Sequence, residues 1–337
     1  MPEKYYQLPY DYEPLLDLRQ TQVAIKFVKD AFERELAQAL NLSRVTAPLF
    51  VTPSSGLNDE LSGVERPVSF AAASCSEELE IVHSLAKWKR MALARYGFTA
   101  GEGLYTDMNA IRRDEYCDSL HSIYVDQWDW ERVMLEDERN FAYLLDTVER
   151  IYAAIKSIEW LVRSRFPVIK PSLPDNIFFI TSQDLLNRYP DKTPKQREAT
   201  IAETYGAVFI IGIGGKLSNN EPHDLRAPDY DDWTLNGDII LWNDVLNCAF
   251  ELSSMGIRVD PPALRRQLDL VNGKSRENLP FHKSLLQGEL PLTIGGGIGQ
   301  SRLCMQLLKK AHIGEVQVSH WPKRVLEECQ SYGIELL

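Results

Sequence analysis

The sequence predicts an α+β fold in which an antiparallel sheet is flanked by helices. Short apolar or alternating runs outnumber the strands a helix bundle would tolerate, and strand pairs joined by loops outnumber strand–helix–strand units. No linker-like stretch or internal repeat divides the chain, so residues 1–337 read as a single domain behind an irregular leader over 1–18, where Pro2, Pro9 and Pro14 sit among tyrosines and acids. A chain of this length has ample core.

The elements follow in order. Val23, Phe27, Val28, Ala31, Phe32 and Leu36 recur at helical spacing between charges, which predicts an amphipathic helix from about Thr21 to Leu40, stopped by Asn41. Arg44–Val51 reads as a strand interrupted by Pro48, a residue suited to a sheet edge or a chain interface. A polar loop over Pro53–Gly63 leads to short strands at Val68–Ala73 and Leu79–His83. A helix follows with Ser84 as its expected N-cap and Lys89 as an ordinary solvated lysine. Gly101 then opens an antiparallel hairpin with Arg112 and Arg113 at its base. In its second strand Val125, Gln127, Asp129 and Glu131 share one face, and Asp126, Trp128 and Trp130 share the other. Polar residues lined up beside tryptophans predict the wall of a cavity.

A long helix over 139–166 is ended by Pro167, Pro171 and Pro174. Beyond it come a buried strand at Ile177–Ser182, helices at Gln183–Tyr189 and Thr193–Tyr205, and a strand at Ala207–Ile213. His223–Trp233 is an acid-rich loop. Strands at Gly237–Trp242 and Ala249–Val259 precede helices at Pro262–Leu270 and Phe281–Gln287, and the tail 313–337 caps the domain.

Two glycine-rich runs carry the question of chemistry. Gly212–Ser218 suggests a phosphate loop but fails its spacing, because Ile210 stands where the first glycine belongs and Leu217 where Ser or Thr should follow Lys216. Leu292–Arg302 is different. Gly295, Gly296, Gly297 and Gly299 are incompatible with a helix interior and unlike an ordinary buried strand. The run reads as a short strand end opening into a helix with Arg302 on its first turn. Bare backbone there would let a phosphorylated ligand lie close, with a guanidinium beside it to grip oxygens in pairs.

Composition narrows the classes. A formal charge of −11 disfavours general nucleic-acid binding but leaves room for a local basic pocket. Five cysteines without a C-x-x-C pair suggest reduced thiols and a cytoplasmic protein. The N-terminus lacks a signal pattern, and no apolar run is long enough to span a bilayer.

Asp238 and Glu251 lie on strands, Arg258 follows, and Arg302 closes the set; paired carboxylates can hold Mg²⁺ against phosphates that arginines neutralise. Taken together, three segments resemble the catalytic domain of class II aminoacyl-tRNA synthetases. These are Val23–Leu40 with Arg44–Pro48, Arg113-Asp-Glu115 with Tyr124–Glu131, and the glycines through Gly299 with Arg302. Ser301 stands where that family usually has an acid.

The chain is more similar still to the ammonia-dependent asparagine synthetases, or aspartate–ammonia ligases. The matching segments are Val82–Arg90, Ala100–Tyr105, Val125–Arg132, Arg226–Trp233, Phe250–Arg258 and Thr293–Leu303, which spread over nearly the whole chain.

That resemblance implies the amidation of L-aspartate by ammonia at the expense of ATP, through a β-aspartyl-adenylate, with release of AMP and pyrophosphate. It implies that Arg112 grips the α-phosphate, with Arg113 left open, and that Arg302 takes the γ-phosphate. Glu115, Arg226 and Gly297 join them around ATP, and Asp238 and Glu251 hold Mg²⁺. Asp129, Gln127 and Asp231 suit the substrate ammonium; Lys89, Ser84, Ser254 and Arg258 suit its carboxylate. Asp59 is placed near ammonium or the substrate amine on the resemblance alone. The first helix and the Pro48 strand imply a homodimer.

Three alternatives are weaker. A true aspartyl- or asparaginyl-tRNA synthetase would carry an anticodon-binding barrel ahead of the first helix, where only about twenty residues stand. A catalytically dead paralogue would have lost one of Asp238, Glu251, Arg258 or Arg302. A glutamine-dependent enzyme needs an N-terminal cysteine, and position 2 is proline.

Overall fold

Asp17 starts the first helix. Its carboxylate accepts from the Gln20 amide at 2.7 Å while the Gln20 side chain accepts from the Asp17 amide at 3.1 Å, so α1 (Leu18–Leu40) begins a turn earlier than the apolar pattern alone suggests. Asn41, at φ +56°, ends it. The structure, a computed structural model, describes residues 8–58 and 65–337.

The expected strand through Pro48 is two short ones, β1 (Leu42–Arg44) and β2 (Phe50–Val51). With β3 (Ser69–Phe70) and β4 (Leu79–Ile81), β2 makes a small separate sheet ordered β2-β4-β3. The helix expected at Ser84 is α2 (Ala86–Tyr96), and Ser84 is not its N-cap in the usual sense. Its hydroxyl accepts from the Ala86 amide at 3.1 Å, while the Leu85 amide donates to Asp129 at 3.2 Å.

The predicted hairpin is β5 (Gly103–Ile111) and β6 (Tyr124–Val133), and the long helix is α3 (Phe141–Arg165), capped by Asn140. Then come β7 (Phe178–Thr181), α4 (Ser182–Arg188), α5 (Pro194–Tyr205) and β8 (Ala207–Ile211). The acid-rich loop is shorter than expected, because β9 (Asp231–Asn243) already starts at Asp231. Next are β10 (Cys248–Arg258), α6 (Pro261–Leu270), α7 (Pro280–Leu286), β11 (Thr293–Gly299), α8 (Gln300–Leu307) and α9 (Lys323–Ser331).

The large sheet runs β1-β5-β6-β11-β10-β9-β8-β7. It is antiparallel from β5 to β8 and parallel only at its two edges. One face packs on α1, α3 and α8. Trp128 and Trp130 turn into that core, with Phe32 4.7 Å from Trp128 between ring centroids. The other face carries the polar side chains of β6 and is covered by α2 over β5, β6 and β11 and by α5 over β8, β9 and β10. Among the described residues no helix is long and apolar enough to cross a membrane.

The glycine run is the main departure from expectation. It is not a strand end but the full strand β11, buried in the middle of the sheet between β6 and β10. The reason lies in its neighbours. Gly295 pairs with Glu131 on one side and Gly256 on the other, and Gly297 pairs with Asp129 and Ser254. A Cβ on Gly295 would collide with the Glu131 carboxylate and stand 2.6 Å from Nη2 of Arg258; one on Gly297 would collide with the Gln127 amide oxygen. The strand is bare so that long polar side chains from both flanks can cross it.

Candidate active site

Above that bare strand lies a cleft of two connected chambers, about 960 and 1010 Å³ including their open mouths, which share His83, Arg112, Glu115, Tyr230, Glu251 and Ser254. The first also takes Ser84, Gln127, Asp129, Asp231, Arg258, Gly297 and Arg302; the second takes Arg113 and Arg226. Residues far apart in sequence are thus brought to one place, as predicted for a single pocket. Two of the proposed site residues, Lys89 and Asp238, lie behind its wall. Asp59 lies outside the described residues.

At one end a chain of buried charges runs under the floor. Lys89 is fully buried rather than solvated. Its ammonium is paired with Asp129 and donates to the carbonyls of Trp130 at 2.9 Å and Gly296 at 3.1 Å, which spends its three hydrogens. Lys89 therefore fixes Asp129 and has no free donor for a ligand. Burial pushes the ammonium below the usual lysine value, opposed by Asp129 and Glu131.

Glu131, also fully buried, accepts from Nε of Arg258 at 3.0 Å, from Nη2 at 2.8 Å and from the Thr293 hydroxyl at 2.7 Å. Burial would raise its carboxyl, but Arg258 and Lys89 outweigh that and hold it down. Arg258 pairs through Nη1 with Asp231, its direct cross-strand neighbour. Burial nevertheless raises the Asp231 carboxyl against the pull of Arg258. An acid left under-compensated at a cleft wall favours a cationic ligand.

The other end is built for anions. A register shift between Glu251 and Ser253 lets Glu251 and Ser254, three positions apart, both face the cleft. Arg302, on the first turn of α8, donates from Nη1 to the Glu251 carbonyl at 2.7 Å and lies over the Phe250 ring at 5.9 Å. Arg112 lines both chambers, and its buried Nε has no partner among the described residues; Arg113 is exposed and lines only the second.

Burial would raise the Glu251 carboxyl, but Arg302, Arg226, Lys195 and Arg112 hold it below the ordinary range. Asp238 moves the opposite way, raised by burial and by the charge of Glu251 although Arg226 is paired with it. The other carboxylate oxygen of Asp238, Oδ1, is buried without a partner among the described residues. A buried orphan oxygen beside a second carboxylate fits a divalent cation.

Ser301, the departure from the synthetase pattern, has a local explanation. Its amide and hydroxyl donate to Asp126 at 3.0 and 2.8 Å, and Lys29 reaches the same carboxylate at 2.8 Å. The acid thus comes from β6 and not from the helix. Sequence reasoning placed Glu131 on the polar face but gave it no role, and it passed over His83 and Tyr230. The one available signal was that His83 and Tyr230 adjoin Ser84 and Asp231.

Comparison with known proteins places the chain in a family. The family model for aspartate-ammonia ligase, AsnA, matches residues 19–333. An aspartate–ammonia ligase of Clostridium perfringens strain SM101 is 59% identical over 331 residues, 98% of each chain. One from Lactobacillus delbrueckii subsp. bulgaricus is 56% identical, again over 98% of each. Among solved structures, the asparaginyl-tRNA synthetase of Entamoeba histolytica in complex with asparaginyl-adenylate superposes with a TM-score of 0.67 at 14% identity, covering 89% of this chain and 66% of that one. That of Pyrococcus horikoshii superposes at 0.66, covering 90% and 70%. At such identity these two establish the class II synthetase fold and nothing finer.

Proposed function

The chain belongs to the aspartate–ammonia ligase family, a family of ligases in asparagine biosynthesis, and from that premise we propose that it joins ammonia to L-aspartate by way of a β-aspartyl-adenylate. The observation that carries this reading is the polarity of the cleft. Asp129, Asp231 and Arg258 at one end suit an α-amino acid, and Arg112 and Arg302 at the other suit a triphosphate.

In this reading Asp129 and Asp231 accept from the α-ammonium, and Arg258 donates its remaining N–H groups to a carboxylate. Arg112 orients the α-phosphate and Arg302 the outer phosphate. An oxygen of the aspartate side chain bonds to the α-phosphorus, and the bond from that phosphorus to pyrophosphate breaks. Ammonia then adds to the activated carbonyl carbon, the carbon–oxygen bond to AMP breaks, and loss of a proton leaves the amide. Asp238 and Glu251 would hold Mg²⁺, which neutralises phosphate charge. Enclosing the nucleotide between fixed arginines stabilises charge without reorganisation.

The test is direct. Purified protein incubated with aspartate, ATP, Mg²⁺ and ¹⁵N-ammonium should yield labelled asparagine and AMP in equal amounts. ADP in place of AMP would rule out the adenylate. A homodimer is proposed alongside, because Leu18 and Val23 on the outer face of α1 are 40% and 51% exposed; light scattering at the monomer mass would refute it.

A further inference from the structure

Glu131 touches neither chamber of the cleft, yet three features of the fold serve it. The Thr293 hydroxyl donates to it, Gly295 is bare where a Cβ would strike it, and Arg258 grips it through two nitrogens. It is the middle of a buried series ordered Asp129, Lys89, Glu131, Arg258, Asp231, with Lys89 3.8 Å from Glu131. Signs alternate along the series. Within the series three acids alternate with two bases, Arg90 is a further buried cation that feels Glu131 while donating to the carbonyls of Pro291 and Val259, and of the series Asp129, Arg258 and Asp231 reach the cleft.

Without Glu131 the two bases would have only the two outer acids to pair with. Arg258 and Lys89, already paired with Asp231 and Asp129, would then turn their full charge on those two carboxylates, which would hold a cationic ligand less strongly. We propose that Glu131 is a positioning and specificity-determining residue, which occupies the inner sides of Lys89 and Arg258 so that the outer carboxylates stay available to an α-ammonium. This rests on the reading that the cleft takes an α-amino acid. Glu131 acts through the other charges and contacts no substrate.

The inference separates two ligands that differ only in the ammonium. L-aspartate and succinate carry the same two carboxylates, and succinate lacks the amine. Their binding to wild-type protein, Glu131→Gln and Thr293→Val is compared by calorimetry, with the ATP KM as a control. In Glu131→Gln the preference for aspartate over succinate should fall about 30-fold, the low end for losing one member of a buried charge pair, while succinate binding and the ATP KM stay within about threefold. Thr293→Val keeps the charge and removes one hydrogen bond, and should shift the same ratio about three- to tenfold. If Glu131→Gln does not fold, Thr293→Val decides alone.

Equal weakening of both ligands, or an unmoved ratio in folded variants, overturns the proposal and leaves Glu131 a structural residue. Wild-type protein that makes no asparagine would sink the functional reading and this inference with it. Normal wild-type turnover with an unmoved ratio sinks this inference alone.

Discussion

Replacing Arg302 with alanine separates catalysis from folding. Among the described residues the side chain makes one charged hydrogen bond, to the Glu251 carbonyl at 2.7 Å, and one ring contact, over Phe250 at 5.9 Å. Losing the first costs about 1.5–3 kcal/mol before water replaces the donor, and losing the second about 0.5–1 kcal/mol. The side chain is only partly buried, so water recovers much of the first loss, and the net loss should be about 1–2 kcal/mol. The transition state loses more. A preorganised charge aimed at a leaving pyrophosphate is worth about 10²–10³ in kcat. Arg302→Ala should therefore melt within a few degrees of wild type and turn over about 10²–10³ more slowly, measured as AMP formed at saturating substrates. Arg302→Lys should recover part of the loss, since it restores the charge but not the two-pronged geometry. Near-normal turnover in the alanine variant would remove Arg302 from the chemistry.

The other expectations follow from the same geometry. Gly297→Ala drives a methyl into Gln127 and to 3.4 Å from Asp129, so aspartate KM should rise at least about tenfold with ATP KM unchanged; equal changes in both would refute a local effect. Asp238→Asn should raise the Mg²⁺ concentration needed for half-maximal rate, and an unchanged Mg²⁺ dependence would remove it as a ligand. Asp229 gives the pH dependence. Burial would raise its carboxyl, but Lys87, His282 and Arg276 outweigh burial and hold it well below the ordinary range. An acid depressed in this way stabilises the fold fully above its unfolded value and loses that contribution as pH falls towards the folded one. Denaturant titrations should therefore show stability falling below about pH 4, and Asp229→Asn should cost about 3 kcal/mol or more at neutral pH while flattening that fall.

Much of the architecture was legible because it rests on local signals. Helical spacing marked α1 and α3, with Asn41 stopping the first and prolines the second, and alternation marked β6, including which face carries Gln127, Asp129 and Glu131. The long-range partners were not legible. Lys89 looks like any helix lysine until β6 and β11 close over it from 40 and 207 positions away. The glycines of β11 misled for the same reason. A run without side chains has no period of its own, and its place at the centre of the sheet is dictated by what Glu131, Gln127 and Arg258 need from it. The start of β9 at Asp231 was hidden too, since a strand residue chosen to pair with Arg258 across the sheet reads locally as loop.

The same interactions explain why so much charge is buried near the floor of one cleft. A buried ion pair seldom stabilises a fold relative to apolar packing, because removing two ions from water offsets most of their attraction. This protein accepts that cost where the apolar face of the sheet is generous, with Trp128, Trp130 and Phe32 fully buried directly behind the polar face of β6. What it gains is geometry. Asp129 is held by both the Leu85 amide and Lys89, and Arg258 by three hydrogen bonds to Glu131 and a pair with Asp231. Side chains fixed in this way lose little entropy on meeting a ligand, so more of the binding energy is left for orientation. Loosening any one link should therefore blunt discrimination between amino acids before it unfolds the protein, a sequence of effects that thermal melts and substrate profiles measured on the same variants would distinguish.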